Sequence, residues 1–306
     1  MNAPLSHASV SLDTAPRSRR AGAIGSIALH AVLILLALVS LTPFLWLIAA
    51  TFKTNAAMFT YLLVPMQTHA VVIEGQPPVQ LLTFENYVVL FRDKPFLTWL
   101  LNSLFLSSLN TAIVVTLASL GGFALAKYRF AGKKPLMLMM LATMVIPGQV
   151  LLPSSYELMY HFGWLNSYAA ILVPGAVSVF GMFLFMQAMK SVPDELLQCG
   201  RIDGCSELRL WWEVALPIVR PMIGAFTLLT FMGSWNSFIW PQIVLQDPDL
   251  YTLPIGLANL IGLPTDITPY GMLMAGTLLS SLPVVILFFI LQRDFIAGLA
   301  SGAVKG

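Results

Sequence analysis

The chain has 306 residues, of which 58% are hydrophobic and only 10% are charged. Soluble domains are about 25% charged, so this composition indicates an integral membrane protein. The net charge of +2 is too small to indicate nucleic-acid binding, and two cysteines do not make a disulfide framework.

Six apolar segments are long enough to cross a lipid bilayer, which takes about 20 mostly apolar residues. The sequence therefore predicts an all-α membrane protein with six transmembrane helices, in which residues 1–22 are a disordered tail and 23–306 form one six-span domain. The predicted spans are approximately 25–50, 97–126, 136–156, 168–189, 218–245 and 271–292.

Two of the predicted spans contain helix-breaking residues. Pro147 and Gly148 interrupt the third span, and Pro174 and Gly175 interrupt the fourth. Such breaks are tolerated in a membrane where neighbouring helices or water satisfy the freed backbone groups.

Lysine and arginine are unevenly distributed between the two sets of connecting segments. If the N-terminus is inside, every lysine and arginine except Lys53, Arg92 and Lys94 lies in an inside segment. The positive-inside rule then places both termini and the loop 190–217 in the cytoplasm. Segment 52–96 is the one large excursion on the outside.

The five later spans contain almost no ionisable side chain between their ends. Ion-coupled and proton-coupled transporters usually need one near the middle of the membrane, so the sequence disfavours both. The neutral polar residues of the spans are Asn102, Ser103, Asn110, Gln149, Trp235, Asn236 and Gln242. They either line a path for an uncharged, hydroxyl-rich solute or join helices by hydrogen bonds. Trp235 and Asn236 are the preferred candidates for the substrate path.

The sequence contains no recognisable catalytic or nucleotide-binding motif. It has no G-x-x-x-x-G-K-[ST], H-E-x-x-H or G-x-S-x-G pattern, and its four histidines are too far apart for metal-ligand spacing. We therefore expect no catalytic residue, no metal site and no bound cofactor in this chain. Any uphill transport would take its energy from another chain.

The loop 190–217 predicts a short helix that needs a docking partner. Ser191 and Asp194 have capping-box spacing, and Gly204 is a natural left-handed stop. The predicted helix has about 11 residues, too few to be stable alone in water. Its small residues Cys199 and Gly200 would let a partner approach closely.

A second, amphipathic helix is predicted after this one. Ser206 is its expected N-cap, and Pro217 is expected to end or kink it before the fifth span. Trp211 and Trp212 are expected to lie at the level of the lipid headgroups.

The same loop resembles the EAA loop of ABC-importer permeases, whose pattern is E-A-A, three residues, G, nine residues, I-x-L-P. Gln198, Cys199 and Gly200 stand at the E-A-A positions, and Gly204 stands at the glycine. Val214, Leu216 and Pro217 complete the pattern with its full spacing. Segments 102–107, 123–134, 233–241 and 291–306 also resemble the carbohydrate-type, maltose-type (MalG-like) members.

The resemblance implies a MetI-like permease fold in the bacterial inner membrane, with the loop as a coupling helix between spans four and five. It implies a heterodimer with a sister permease, a cytoplasmic ATPase dimer that binds ATP and magnesium, and an extracytoplasmic solute-binding protein. The implied substrate is a sugar or a related polyhydroxylated solute. The implied ATPase contacts are Gln198, Cys199, Gly200, Arg201, Asp203 and Gly204, together with the tail Gly302–Gly306.

One departure from the family pattern concerns the first position of the motif. Gln198 replaces the glutamate, so a salt bridge from this position to an ATPase arginine would be lost. Cys199 and Gly200 remain small, so we expect docking to be retained. The alternative to an ATP-driven importer is a secondary transporter or channel that needs no ATPase, and a membrane-embedded enzyme is a remote third.

Overall fold

The computed structural model describes residues 19–59, 61, 81–261 and 269–303. Within these residues the regular elements are helices, apart from one isolated antiparallel bridge between Lys53 and Leu82. Residues 1–18 of the predicted tail lie outside the described part, but the first helix already begins at Arg19. The prediction that residues 19–22 belong to a disordered tail is therefore wrong, because they extend the first apolar helix by one turn.

The α-helices are numbered in chain order. They are α1 (Arg19–Thr51), α2 (Asn55–Met58), α3 (Glu85–Asp93), α4 (Phe96–Lys127), α5 (Lys133–Thr143), α6 (Leu152–His161), α7 (Ala169–Leu172), α8 (Val179–Met189), α9 (Asp194–Ile202), α10 (Glu207–Arg209), α11 (Leu216–Ile218), α12 (Arg220–Trp235), α13 (Ile239–Val244), α14 (Leu253–Ile261) and α15 (Tyr270–Ala303). Two 3₁₀ helices and a π-helical segment complete the described elements: Gly148–Leu151, Pro248–Leu250 and Leu210–Ala215.

Three of the described helices are long and apolar enough to cross a membrane: α1, α4 and α15. They coincide with the first, second and sixth predicted spans. Two further pairs pass the same test only if each pair is one bent span. Residues 133–143 meet residues 148–161 at 91°, and residues 207–218 meet residues 220–235 at 88°. The six-span count stays a prediction, and the chain is a multi-pass membrane protein built on several apolar helices.

The interruptions predicted in the third and fourth spans are confirmed. Pro147 separates α5 from the 3₁₀ turn before α6. In the fourth span α7 ends at Leu172, and α8 starts after Ser178, whose hydroxyl accepts a hydrogen bond from the Gly181 amide at 3.0 Å. Gly175 lies in this break, where a Cβ atom would stand 3.3 Å from Asn110 Oδ1. The Asn110 side chain of α4 therefore lies close to the backbone of this break.

Helix α4 packs closely against α8 through a glycine. A Cβ atom on Gly122 would lie 2.5 Å from Cβ of Phe185 and 2.7 Å from the backbone nitrogen of Met186. Phe185 is fully buried and meets Phe226 of α12 edge to face, with ring centroids 5.5 Å apart. The absence of a side chain at Gly122 therefore allows α4 and α8 to pack this closely.

The adjacent glycines give a matched test of this packing. We expect Gly122→Ala to cost about 1–3 kcal/mol of stability, because the new methyl group meets rigid atoms of α8. Gly121→Ala meets the flexible side chain of Met182 at 2.9 Å, so its cost is expected to be smaller. Thermal unfolding of both purified variants in the same detergent measures the difference. Equal midpoints for the two variants would contradict this account of the α4–α8 contact.

Candidate functional site

The predicted coupling helix is present as α9, but it starts later than expected. Pro193 is the N-cap of α9 and makes no side-chain capping bond. The Ser191 hydroxyl instead donates to the Ala188 carbonyl at 2.7 Å, so the predicted capping box is wrong. The reason is that Ser191 is still held by the end of α8. The predicted stop is confirmed, since Gly204 has a φ of +81°.

One face of α9 packs against other residues of the same chain. Leu197 is 1% exposed and belongs to the same buried cluster as Leu210. A Cβ atom on Gly200 would lie 2.4 Å from Cδ2 of Leu210. The prediction that Gly200 is small to admit a partner is therefore wrong, because its open side is filled by Leu210. The outward-facing residues include Leu196, Cys199 and Ile202, and Ile202 is 85% exposed.

The second predicted helix begins as expected and then departs from the regular α form. The Ser206 hydroxyl accepts a hydrogen bond from the Arg209 amide at 3.3 Å, which confirms the N-cap. The chain continues through a π-helical segment and α11, and it turns sharply at Val219 rather than at Pro217. Of the two predicted headgroup anchors, Trp212 is exposed but Trp211 is buried in the cluster around Phe185. The headgroup prediction is thus wrong for Trp211.

Two polar links tie α9 and the start of α10 to the end of α4. In the first, the Lys127 ammonium donates to the Val192 carbonyl at 2.5 Å and to Asp194 Oδ1 at 2.7 Å. In the second, the Tyr128 hydroxyl donates to Glu207 Oε2. The Glu207 carboxylate also accepts two hydrogen bonds from the Arg201 guanidinium, from Nε at 2.7 Å and from Nη2 at 3.1 Å. We call these five side chains, Lys127, Tyr128, Asp194, Arg201 and Glu207, the α4 clamp.

The α4 clamp keeps its acidic members ionised. The hydrogen bond from Lys127 lowers the pKa of Asp194. The hydrogen bonds from Arg201 and then from Tyr128 lower the pKa of Glu207. Burial, followed by the nearby Glu207 carboxylate, raises the pKa of Tyr128, so its hydroxyl keeps its proton and remains a donor. Near neutral pH the clamp is therefore held by charge-assisted hydrogen bonds, which are stronger than neutral ones.

The structure brings the predicted coupling residues together on α9 and its C-terminal turn. Half-buried Gly200 lies among exposed neighbours, which are Gln198, Cys199, Arg201, Asp203 and Gly204. Arg201 is already bound to Glu207 of the same chain. Gly302 belongs to the end of α15, and residues 304–306 of the predicted C-terminal contact lie outside the described part.

The two predicted substrate-path residues occupy different environments. Trp235 is 4% exposed, donates through Nε1 to the Ser280 carbonyl at 3.1 Å and stacks on Phe231. Asn236 is exposed and donates back to the Met232 carbonyl at 2.8 Å. Within the part of the chain that the structure describes, no three His, Cys, Asp or Glu side chains are grouped to hold a metal ion.

The chain matches the model of the family described as "Binding-protein-dependent transport system inner membrane component" over residues 117–299. The chain belongs to this family. The permease is 34% identical over 276 residues to the arabinooligosaccharides transport system permease protein AraQ of Halalkalibacterium halodurans, covering 89% of this chain and 93% of that protein. It is 30% identical over 278 residues to the lactose transport system permease protein LacG of Rhizobium radiobacter, covering 90% and 95%.

A solved structure supports the fold of the permease. A chain in the crystal structure of a bacterial ABC transporter that imports the acidic polysaccharide alginate superposes with a TM-score of 0.75 at 22% identity. The match covers 92% of the permease and 99% of that chain. This similarity shows the fold, and the family membership shows that the permease is a non-catalytic transport component.

Sequence reasoning assigned no role to Lys127, Tyr128 or Glu207 of the α4 clamp. Lys127 and Tyr128 lie in segment 123–134, whose resemblance to the family is the feature of the sequence that could have drawn attention to them. Lys127 is 67 positions from Asp194, and Tyr128 is 79 positions from Glu207. Pairs this distant leave no periodic pattern in a single sequence.

A charge reversal tests the first link of the α4 clamp. Lys127→Asp should free the N-terminus of α9, because it removes the donor and sets two carboxylates against each other. The double variant Lys127→Asp, Asp194→Lys should recover part of the wild-type protection. Hydrogen–deuterium exchange of residues 194–204 in nanodiscs measures the effect. Lys190→Asp is the matched control, because among the described residues the Lys190 side chain bonds only to Gln187 of its own turn. If residues 194–204 of Lys127→Asp exchange at the wild-type rate, Lys127 does not hold α9 in place.

Proposed function

We propose that the permease is one subunit of an ATP-driven importer for a sugar or a related polyhydroxylated solute. The family membership carries the proposal, since the description of the family names a transport system that depends on a binding protein. Two relatives that span nearly the whole chain are described as permeases for arabinooligosaccharides and for lactose. The scarcity of ionisable residues in the predicted spans agrees with a neutral solute and with an external source of energy.

The proposed assembly contains partners that this chain needs to function. A sister permease completes the translocation path as a heterodimer, and an extracytoplasmic solute-binding protein delivers the solute. A cytoplasmic ATPase dimer binds ATP and magnesium, so the permease itself binds no cofactor. The charge bias of the loops supports an orientation with both termini and the loop 190–217 in the cytoplasm of a bacterial cell.

Helix α9 is the proposed point of contact with the ATPase. On one side of α9, Leu197 is buried and Gly200 packs against Leu210. The other side carries exposed apolar residues. An exposed apolar face on a short, well-anchored helix fits a protein partner. The proposed contacts are the exposed residues Gln198, Cys199, Arg201, Asp203 and Gly204, whereas Gly200 of the predicted set packs on Leu210 of the same chain.

The clamp gives this contact a mechanical role. A movement of α9 would be transmitted to α4 through Lys127 and Tyr128, and to α12 through the turn at Val219. The neutral amide of Gln198 would dock without the charge contact that a glutamate makes. Coupling would then depend on shape and on the clamp more than on an ion pair at the first motif position.

Two substitutions on α9 test the coupling role. Asp203→Arg and Gly204→Val should abolish ATP-dependent uptake while the protein remains in the membrane, because both alter the exposed end of α9. The assay is uptake of radiolabelled lactose and arabinobiose by proteoliposomes that contain the complete importer with ATP inside. Gly132→Val is the matched control, since Gly132 has a φ of +87° and, like Gly204, open space around it.

The outcomes distinguish the proposal from its alternative. Normal uptake by both α9 variants would contradict the coupling assignment. Solute flux by the purified permease alone, driven by a proton or sodium gradient, would instead support a secondary transporter and contradict ATP-driven import.

A further inference from the structure

A polar cavity lies inside this chain, apart from α9 and its clamp. Its volume is about 240 Å³. Its wall is formed by α4, α7 with the break after it, the end of α12 with the turn that follows, α13 and the residue before α14. The helix breaks at Gly175 and after Trp235 both open onto this region. The interruptions in the fourth and fifth predicted spans thus border a partly open cavity.

Several hydrogen-bonding groups of this wall are unused. The side chains of Ser107, Asn110, Ser234 and Ser237 make no hydrogen bond to any described residue. Ser107 is only 2% exposed, and the Thr252 hydroxyl is buried without a partner among the described residues. Inside a membrane protein an unsatisfied polar group costs free energy, so such groups normally meet protein, water or a ligand.

Two polar residues one turn earlier on α4 behave differently. The Asn102 amide donates to the carbonyls of Asp249 and Tyr251 and accepts from Tyr168. The Ser103 hydroxyl accepts from the Leu253 amide at 2.7 Å. These two residues join helices, whereas Ser107 and Asn110, further along α4, keep their capacity for another partner.

The wall defines the chemistry of a ligand. None of the described residues that line it is Asp, Glu, Lys, Arg or His, so an ionised ligand would lose its hydration without a compensating charge from them. Hydroxyl and amide groups both donate and accept, as the hydroxyl groups of a sugar do. The volume is below the ~300–1,000 Å³ of pockets for drug-sized molecules, so it suits one sugar ring.

We infer that this cavity is a transient binding site for one ring of a neutral saccharide on its way through the permease. The inference rests on the proposed import function and adds a site to it. It places the contacts on Ser107, Asn110, Ser234, Ser237 and Thr252 rather than on Trp235 and Asn236.

A glycine in the wall offers a place to add a side chain at the cavity. A Cβ atom on Gly233 would meet nothing within 4 Å, so Gly233→Leu places a side chain in open space instead of in a packed contact. The matched control is Gly148→Leu, because Gly148 also has nothing within 4 Å and does not line the cavity. Ser107→Ala and Asn110→Ala remove single hydrogen-bonding groups.

The experiment uses the complete importer in proteoliposomes with ATP inside. The neutral probes are radiolabelled lactose, maltose and arabinobiose, and the acidic probes are glucuronate and glycerol 3-phosphate. Wild type should take up a neutral probe and neither acidic one. Gly233→Leu should lower the uptake rate about tenfold or more, with basal ATP hydrolysis retained and Gly148→Leu unaffected. Ser107→Ala and Asn110→Ala should each raise the KM about 3- to 10-fold, the effect of one lost hydrogen bond.

The outcomes distinguish a failure of the proposed import function from a failure of the cavity site alone. If wild type shows no ATP-dependent uptake of any probe, the proposed function fails and the cavity site fails with it. If wild type takes up neutral probes while Gly233→Leu and both alanine variants keep wild-type kinetics, only the cavity site is overturned. Preference of wild type for the acidic probes overturns the ligand class. If Gly233→Leu does not assemble, the KM values of the two alanine variants decide.

Discussion

The architecture around α9 depends on where the Lys127 ammonium is placed. Its side chain is only 7% exposed, so most of its hydration is lost and must be replaced by protein oxygens. The Val192 carbonyl and the Asp194 carboxylate supply them, at 2.5 and 2.7 Å. A helix of nine residues, too short to be stable by itself, is thereby fixed to the end of a membrane-length helix.

The sequence was sufficient for features that depend on local chemistry. Apolar length alone located α1, α4 and α15, and the Pro-Gly pairs located the breaks around Pro147 and Gly175. The Ser206 cap and the left-handed Gly204 also follow from neighbouring residues.

The errors arise where a distant part of the chain competes with the local signal. Ser191 has the spacing of a cap but bonds back to α8, and Trp211 has the position of a headgroup anchor but packs into the core. Gly200 is small for a reason that only the position of Leu210 reveals. The same limit applies to the polar residues of the spans. Their sequence does not separate Asn102, which is fully used in joining helices, from Asn110, which faces a cavity.

The corner at Val219 relates the two sites geometrically. The 88° bend there makes a short arm, residues 207–218, and a long arm, α12. The long arm has 16 residues and is therefore about 24 Å long at 1.5 Å per residue. A rotation of about 10° at the corner would move its far end sideways by about 4 Å. That end carries Gly233 and Ser234 of the cavity wall, so a small rotation of the short arm would displace this wall by about the distance between two atoms in van der Waals contact.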